Sequence, residues 1–151
     1  MDLGTGWTEL GMLGLFLASF LAATILPFSS EAVLLAMVST GADPLLLFML
    51  ATLGNTLGGL TNYAIGRWLP AERVLRWFRV DIDQGKRWEG LVRTRGVWVA
   101  LLCWVPVIGD PIAIALGLFR APFMPSAALM LLGKAARYAV LLWVAEPFVT
   151  G

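Results

Sequence analysis

The chain has 151 residues, of which 59% are hydrophobic and only 14% are charged, and its mean hydropathy is +0.81. So few charges exclude an ordinary soluble domain and indicate one integral membrane domain, residues 1–151. The sequence has no histidine and a single cysteine, Cys103, which excludes a disulfide framework and leaves almost no ligands for a metal or haem. We therefore expect no metal, no cofactor and no nucleic-acid partner.

The basic residues are concentrated between two apolar halves. Eight of the eleven Lys and Arg residues lie between Arg67 and Arg95, with only four acids among them. The positive-inside rule places this 67–95 loop in the cytoplasm. Its segments 71–80 and 86–95 predict amphipathic helices along an anionic lipid surface, although a solvated connector explains the pattern equally well. The N-terminus has no basic residue before its apolar run, so we expect no secretory signal peptide.

In the first half, an apolar run at 10–26 is interrupted between Pro27 and Glu31 and resumes only at 32–38. A membrane crossing needs about 20 apolar residues, so 32–38 is too short to span. The pattern predicts a re-entrant hairpin, whose two short helical arms enter and leave on one face. The following segment, 44–66, is long enough to cross.

The second half has the same order of features. An apolar arm at 97–105 meets the break PVIGDP at 106–111, and a short apolar stretch follows at 112–119. The last apolar segment, 126–149, is again long enough to cross.

An offset of 79 aligns the two halves without gaps, which predicts repeats at about 10–66 and 96–149. Each half changes sides once, so the second repeat must be inverted relative to the first, as in many secondary transporters. Irregular backbone at membrane depth must be buried in protein or line a wet cavity, so we expect the two hairpin tips to face each other. The aligned pairs are Pro27 with Pro106, Glu31 with Asp110, Gly54 with Gly133, and Asn55 with Lys134, and Pro111 completes the second tip.

Glu31 and Asp110 are the candidate proton-handling residues of the two tips. A charge at the bilayer centre costs about 2.5–3.5 kcal/mol even on insertion scales, so Glu31 must be paired, protonated or exposed to water. A purely structural pairing of Glu31 with Lys134 or Arg137 is the alternative. Asp110 followed by Pro111 also predicts a helix N-cap with a proline at the first helical position.

The same tips predict an anion-binding site. Ser29 or Ser30 is expected to cap the helix after the first break, and helix N-termini favour anions. Lys134 and Arg137 lie three residues apart on one helical face, and Arg67 ends the first spanning segment. These residues suit a phosphate or carboxylate, although the serines can act as caps alone and Arg67 as an interface anchor alone.

The first spanning segment, GNTLGGLTNYAIGR, combines small and polar residues. Gly54, Gly58 and Gly59 predict close helix packing, and we leave open whether they pack a homodimer. Asn55 and Asn62 either line a polar path or serve packing.

This segment also resembles a known family. Its residues fit the G-x-x-x-G-x-x-x-x-Y-x-x-G-R signature of the DedA family, the VTT or SNARE-associated membrane proteins. The break ending in Ser30-Glu31 is similar to that family's first re-entrant loop, and Asp43 falls where the family carries an acid. In CWVPVIGDP, Pro106 is kept but Cys103 and Gly109 stand at the family's arginine positions, which is similar to the YqaA-like subgroup. The matching signature residues are Gly54, Gly58, Tyr63, Gly66 and Arg67.

The resemblance implies a multi-pass bacterial inner-membrane protein with paired re-entrant hairpins. It further implies lipid movement across the bilayer, of carriers such as undecaprenyl phosphate or of phospholipids, often with dependence on the proton-motive force. Glu31 and Asp43 are then implied to handle protons. Because the loop arginines do not carry over, Lys134 and Arg137 are the candidates to replace them.

The sequence therefore predicts an all-α membrane protein of two inverted repeats, each a re-entrant hairpin plus a transmembrane helix. Its expected function is that of a transporter or flippase for an anionic, phosphate-bearing lipid, with membrane lipids and protons as partners. A proton-coupled carrier of a small solute and a non-transporting membrane scaffold or assembly factor are the alternatives. No Walker-type loop, Ser-His-Asp set or metal cluster is present in the sequence, so we do not expect an enzyme.

Overall fold

The computed structural model describes residues 3–24, 30–77, 81–106 and 108–149, and every regular element within them is a helix. This confirms the all-helical prediction. A 3₁₀ helix, Gly96–Trp104, precedes α6. The α-helices are α1 (Leu3–Ala22), α2 (Ser30–Ser39), α3 (Pro44–Trp68), α4 (Ala71–Trp77), α5 (Ile82–Arg95), α6 (Gly109–Leu118) and α7 (Phe123–Val149).

Within the part of the chain that the structure describes, two helices are long and apolar enough to cross a membrane. They are Pro44–Trp68, with 25 residues, and Phe123–Ala145, with 23 residues, close to the predicted segments 44–66 and 126–149. By contrast, α2 and α6 have 10 residues each. At a rise of about 1.5 Å per residue, each is about 15 Å long, half of a hydrocarbon core of about 30 Å. Neither short helix can span a bilayer by itself.

The chain forms two compact units. Unit 1 consists of Met1–Gly58 and Lys134–Gly151, and unit 2 of Gly59–Gly133. Unit 1 therefore contains α1, α2, the first part of α3 and the last part of α7. Unit 2 contains the remainder of α3 and α7 together with α4, α5, the 3₁₀ helix and α6.

Unit 1 has an apolar core to which all four of its helices contribute. The helices α1 and α3 approach closely because glycines on α3 face the backbone of α1: a Cβ on Gly54 would lie 2.5 Å from the carbonyl O of Phe16. The buried core side chains are Leu15, Leu34, Val38, Leu47, Ala51 and Tyr138.

Unit 2 has a core of its own around Tyr63 of α3. The Tyr63 hydroxyl donates to the carbonyl O of Ala121 at 2.5 Å. Gly66 packs against the backbone of Ile114, and Gly117 packs against the backbone of Tyr63, so α3 and α6 touch main chain to main chain. The other buried core residues include Val92, Val99, Ala100, Cys103, Ile112, Leu116 and Met130.

The bounds of several helices correspond at an offset of 79 positions. The helix α6 begins and ends 79 positions after α2 begins and ends, and α7 begins 79 positions after α3 begins. After each short helix comes a residue with a left-handed backbone conformation, and these two residues also lie 79 positions apart. They are Gly41, with φ 81°, and Arg120, with φ 56°. The N–H of Leu47 donates to Asp43 O at 3.1 Å, and its equivalent Ser126 donates to Pro122 O at 3.2 Å.

The predicted cap at Asp110 is wrong. The helix α6 begins at Gly109, its N-cap is Ile108, and no side chain caps it. The Gly109 N–H already donates to Val105 O at 2.9 Å, so the chain turns helically one residue earlier than the Asp-Pro motif predicts. Asp110 lies in the first turn, where an acid still suits the helix dipole, and Pro111 is the third helical residue.

Two other elements differ from their expected forms. The helix α1 begins at Leu3 rather than at the start of the apolar run, because helical backbone does not require apolar side chains. The segment expected as the first arm of the second hairpin is a 3₁₀ helix of nine residues. Such a long 3₁₀ run is uncommon, and no residue pattern in the sequence distinguishes it from an α-helix.

Candidate functional site

Glu31 and Arg137 form an ion pair in unit 1. Glu31 lies in the first turn of α2, and Arg137 Nε donates to Glu31 Oε1 at 2.9 Å, with Arg137 Nη2 contacting the same oxygen. The Arg137 side chain is 18% exposed and the Glu31 side chain 36%. The position of Glu31 is favourable because a carboxylate complements the positive end of a helix dipole. The ion pair is therefore formed but stays partly exposed to solvent.

A second contact lies one residue away on each of the same two helices. The hydroxyl groups of Ser30 and Tyr138 are 2.9 Å apart, and both residues are buried. Ser19 of α1 is fully buried in the same unit. Sequence reasoning did not single out Tyr138, although it follows Lys134 by four residues and so shares its helical face.

Lys134 is a buried cation in the same unit. Only 2% of the residue is exposed, and its ammonium donates to both the backbone O and the side-chain Oδ1 of Asn55, each at 2.6 Å. Asn55 Nδ2 in turn donates to Ser19 O at 3.0 Å. Asn55 therefore connects α7 to α1 through α3. Both the oxygen and the nitrogen of the Asn55 side-chain amide therefore make hydrogen bonds within the protein.

We call this set of residues the polar cluster. It draws one or more side chains from each of the four helices of unit 1. As defined, it contains two cations and one carboxylate, so it favours an additional negative charge. Its members are Ser19, Ser30, Glu31, Asn55, Lys134, Arg137 and Tyr138.

Comparison with known proteins identifies the family to which the chain belongs. The VTT domain matches residues 6–146, which is most of the chain. The chain belongs to the VTT-domain, or DedA, family. The resemblance predicted from the α3 signature is thereby confirmed.

Curated relatives of this VTT-domain protein cover similar lengths. It is 40% identical over 130 residues to the inner membrane protein YqaA of Escherichia coli, covering 85% of this chain and 87% of that one. YqaA of Shigella flexneri shows the same identity and coverage. An uncharacterized protein of Haemophilus influenzae is 34% identical over 152 aligned positions, covering 95% and 92%. No solved structure matches significantly.

Four of the five signature residues of this VTT-domain protein have packing roles. Gly54 and Gly58 face the α1 backbone within unit 1, whereas Gly66 faces the α6 backbone within unit 2. The hydroxyl of Tyr63 holds the carbonyl of Ala121 just after α6. Gly59 is buried as well. The face of α3 with Gly54 and Gly58 is thus covered by α1 of the same chain.

Asp43 lies outside the polar cluster. It is exposed, and its Oδ1 accepts a hydrogen bond from Leu45 N at 2.9 Å, so it caps α3 ahead of Pro44. This is the arrangement of an N-cap and a proline at the first helical position that the sequence suggested at Asp110. Capping accounts for an acid at this position, and a proton-handling role for Asp43 stays a prediction.

The remaining predicted residues lie elsewhere. Asp110, Pro111, Asn62 and Arg67 belong to unit 2, where Asn62 is buried and Arg67 is exposed in the last turn of α3. Pro106 lies in the turn between the 3₁₀ helix and α6. The predictions for Pro27 and Ser29 fall outside the described residues. That the tips carrying Glu31 and Asp110 face each other stays a prediction.

Proposed function

We propose that this VTT-domain protein is a multi-pass transporter of the bacterial inner membrane that moves an anionic, phosphate-bearing lipid between leaflets, coupled to a proton. Family membership, two helices long and apolar enough to cross a membrane, and relatives called inner membrane proteins support the location. The basic 67–95 segment is on the cytoplasmic side in this proposal, by the positive-inside rule. The activity is movement of the lipid without covalent change, so the protein is not an enzyme.

The proposed architecture is a pair of inverted repeats, each with a re-entrant helical hairpin. The matching bounds of α2 and α6 and the equivalent left-handed residues Gly41 and Arg120 support the duplication. The short lengths of α2 and α6 support hairpins. A ten-residue helix is too short to reach the opposite face of the membrane, so the chain leaves on the face where it entered. One spanning helix per repeat then inverts the second repeat relative to the first.

The ion pair between Glu31 and Arg137 is the observation that carries the functional proposal. Arg137 is a guanidinium suited to phosphate oxygens, and in this structure a carboxylate holds it. A proton taken up by Glu31 cancels the carboxylate charge and weakens the pair. Arg137 is then available to a lipid phosphate, so proton binding and phosphate binding are coupled through one residue pair.

The rest of the polar cluster has supporting roles in this proposal. The hydrogen bond between Ser30 and Tyr138 fixes the first turn of α2 against α7, and so fixes the distance between Glu31 and Arg137. Lys134 adds a second positive charge one helical turn from Arg137. Its two hydrogen bonds to Asn55 hold that charge in place.

Reconstitution into liposomes tests the proposal. Fluorescent phosphatidylglycerol and a fluorescent polyprenyl phosphate are placed in one leaflet, and their movement is followed with and without a pH gradient. We expect wild type to exceed empty liposomes and to respond to the gradient. Glu31→Gln should abolish the response to the gradient, and Arg137→Gln should slow lipid movement at least tenfold.

Matched controls remove the same charges outside the polar cluster. Glu72→Gln on α4 and Arg93→Gln on α5 change exposed residues of unit 2 and should behave as wild type. If folded wild-type protein moves neither lipid nor a soluble phosphate ester, the result favours the scaffold alternative and the proposal is wrong. Movement of a soluble phosphate ester without movement of lipid would instead indicate a small-solute carrier.

A further inference from the structure

An apolar groove lies in unit 2, apart from the polar cluster. It is partly open to solvent and is lined by α4, α5 and α6. Its lining side chains are apolar throughout: Val74, Leu75, Gly85, Trp88, Pro111, Ile114, Ala115, Leu118 and Phe119.

Basic residues flank the groove along both amphipathic helices. Each lining residue of α4 and α5 is followed or preceded directly in sequence by an exposed Arg or Lys, and neighbours on a helix point about 100° apart. The apolar face therefore has cations at its sides. They are Arg73 beside Val74, Arg76 beside Leu75, Lys86 beside Gly85, and Arg87 beside Trp88.

The segment that forms α4 and α5 is positive in sum. The 67–95 segment carries eight basic residues against four acids, and one of those acids, Glu89, is engaged by Arg93 at 3.1 Å. Basic amphipathic helices of this kind attract anionic lipids by about 1 kcal/mol per Lys or Arg near the surface. The charge selects an anionic occupant over a zwitterionic one.

The groove also adjoins the end of a spanning helix. Trp68, the last residue of α3, is 81% exposed, and α4 begins three residues later at Ala71. Exposed tryptophans prefer the boundary between lipid and water. The helix α4, which lines the groove, begins three residues after the end of α3.

We propose that this groove binds an acyl chain of one anionic phospholipid, with its phosphate against the basic residues of α4 and α5. The site is separate from the polar cluster and does not depend on the proposed transport activity. The chain inserts between α6 and the two amphipathic helices. The bound lipid thereby attaches the 67–95 segment to the membrane surface.

Native mass spectrometry of the detergent-purified, delipidated full chain tests this site. The probes are phosphatidylglycerol, phosphatidylcholine and glycerol phosphate, titrated separately. We expect one saturable phosphatidylglycerol per chain, at least tenfold weaker binding of phosphatidylcholine, and no binding of glycerol phosphate at matched concentration.

Two pairs of variants distinguish groove binding from general adhesion. Gly85→Leu fills the groove, since a Cβ there meets only Leu75 at 3.4 Å, whereas Gly90→Leu adds the same side chain on the same helix where nothing lies within 4 Å. We expect Gly85→Leu to weaken phosphatidylglycerol binding at least tenfold and Gly90→Leu to leave it unchanged. Arg87→Gln should weaken it about fivefold, while Arg93→Gln, which removes an equal charge already paired with Glu89, should not.

Several results would overturn the inference. Equal binding of phosphatidylcholine and phosphatidylglycerol would show that charge does not select the lipid. Binding of glycerol phosphate without binding of phosphatidylglycerol would show that no acyl chain is bound. If Arg87→Gln and Arg93→Gln weakened phosphatidylglycerol binding equally, only the net charge of the segment would matter. This comparison can be made even if Gly85→Leu fails to fold. Lipid-free dimers that Gly85→Leu dissociates would show that a second copy of the chain, not a lipid, occupies the groove.

Discussion

Lys134 and Asn55 occupy equivalent positions in the two halves of the chain, 79 residues apart, and they bind each other. The Lys134 ammonium donates to Asn55 O and Oδ1 at 2.6 Å each, in a region where Lys134 is 2% and Asn55 5% exposed. The contact joins α3 to α7 at positions that the offset of 79 aligns. The contact is polar because a buried ammonium must have oxygen partners.

The energetic dependence between these two residues can be measured. Asn55→Leu removes an oxygen partner from a buried cation and should cost about 3 kcal/mol, because hydrogen bonds to charged groups contribute about 1.5–3 kcal/mol and the charge stays buried. Lys134→Met leaves only neutral groups behind and should cost about 1–2 kcal/mol. The double variant should cost clearly less than both together. Thermal unfolding in detergent, followed by circular dichroism, provides the measurement, and strict additivity would contradict an energetic contact.

The ion pair between Glu31 and Arg137 predicts a difference between stability and transport. Glu31→Arg and Arg137→Glu should each destabilise the fold by about 2 kcal/mol, less than a fully buried pair because both side chains are partly exposed. The double charge reversal should recover most of that loss. It should not recover all of it, because a cation in the first turn of α2 opposes the helix dipole by about 0.5 kcal/mol.

Transport measurements on the same three variants provide the functional half of that test. The double reversal places the guanidinium on α2 and the carboxylate on α7, so a phosphate site built around α7 is lost. We expect recovery of the melting temperature without recovery of lipid movement. Full recovery of both would mean that the pair acts only as a structural link.

Arg120 is predicted to be a strained residue that glycine would relieve. It follows α6 with φ 56°, and Ala121 N and Arg120 N donate to Leu116 O and Gly117 O at 2.9 and 3.0 Å, as in a Schellman motif. A non-glycine residue in this conformation costs about 1 kcal/mol, and the residue 79 positions earlier, Gly41, is a glycine that also has a positive φ. Arg120→Gly should therefore raise stability by up to about 1 kcal/mol. Arg120→Ala is the control: it removes the same side chain, keeps the strain, and should give no gain.

Sequence reasoning identified what depends on composition and spacing. Segment lengths locate α3 and α7, because a membrane crossing sets a minimum apolar length. The same reasoning considered Arg137 as a partner of Glu31, because a carboxylate in an apolar segment needs a cation and few are available. The family signature on α3 is explained by packing, since Gly54 and Gly66 each lie against the backbone of another helix.

The features that the sequence did not predict depend on tertiary contacts or on backbone conformations that no local residue pattern indicates. The Asp-Pro motif at Asp110 failed as a cap because Gly109 permits close contact with the Cys103 backbone and the helix starts there. The same motif caps at Asp43, whose Oδ1 accepts a hydrogen bond from Leu45 N. The bond from Ser30 to Tyr138 joins residues 108 positions apart, and no local pattern indicates a pairing at that distance.

The glycine contacts between α1 and α3 make the last prediction. A Cβ on Gly58 would lie 2.7 Å from Ala23 Cβ and closer still to the carbonyl O of Phe20, and neither atom belongs to a flexible side-chain end. Gly58→Ala must therefore separate two helices, and we expect a loss of about 3 kcal/mol, at the upper end of overpacking costs. The matched control is Gly14→Ala on α1, which is exposed and has no heavy atom within 4 Å of an added Cβ. It should gain about 0.5–1 kcal/mol from helix propensity alone. Equal melting temperatures for the two variants would show that α1 and α3 do not pack as closely as described, and would leave the small residues of the signature without this explanation.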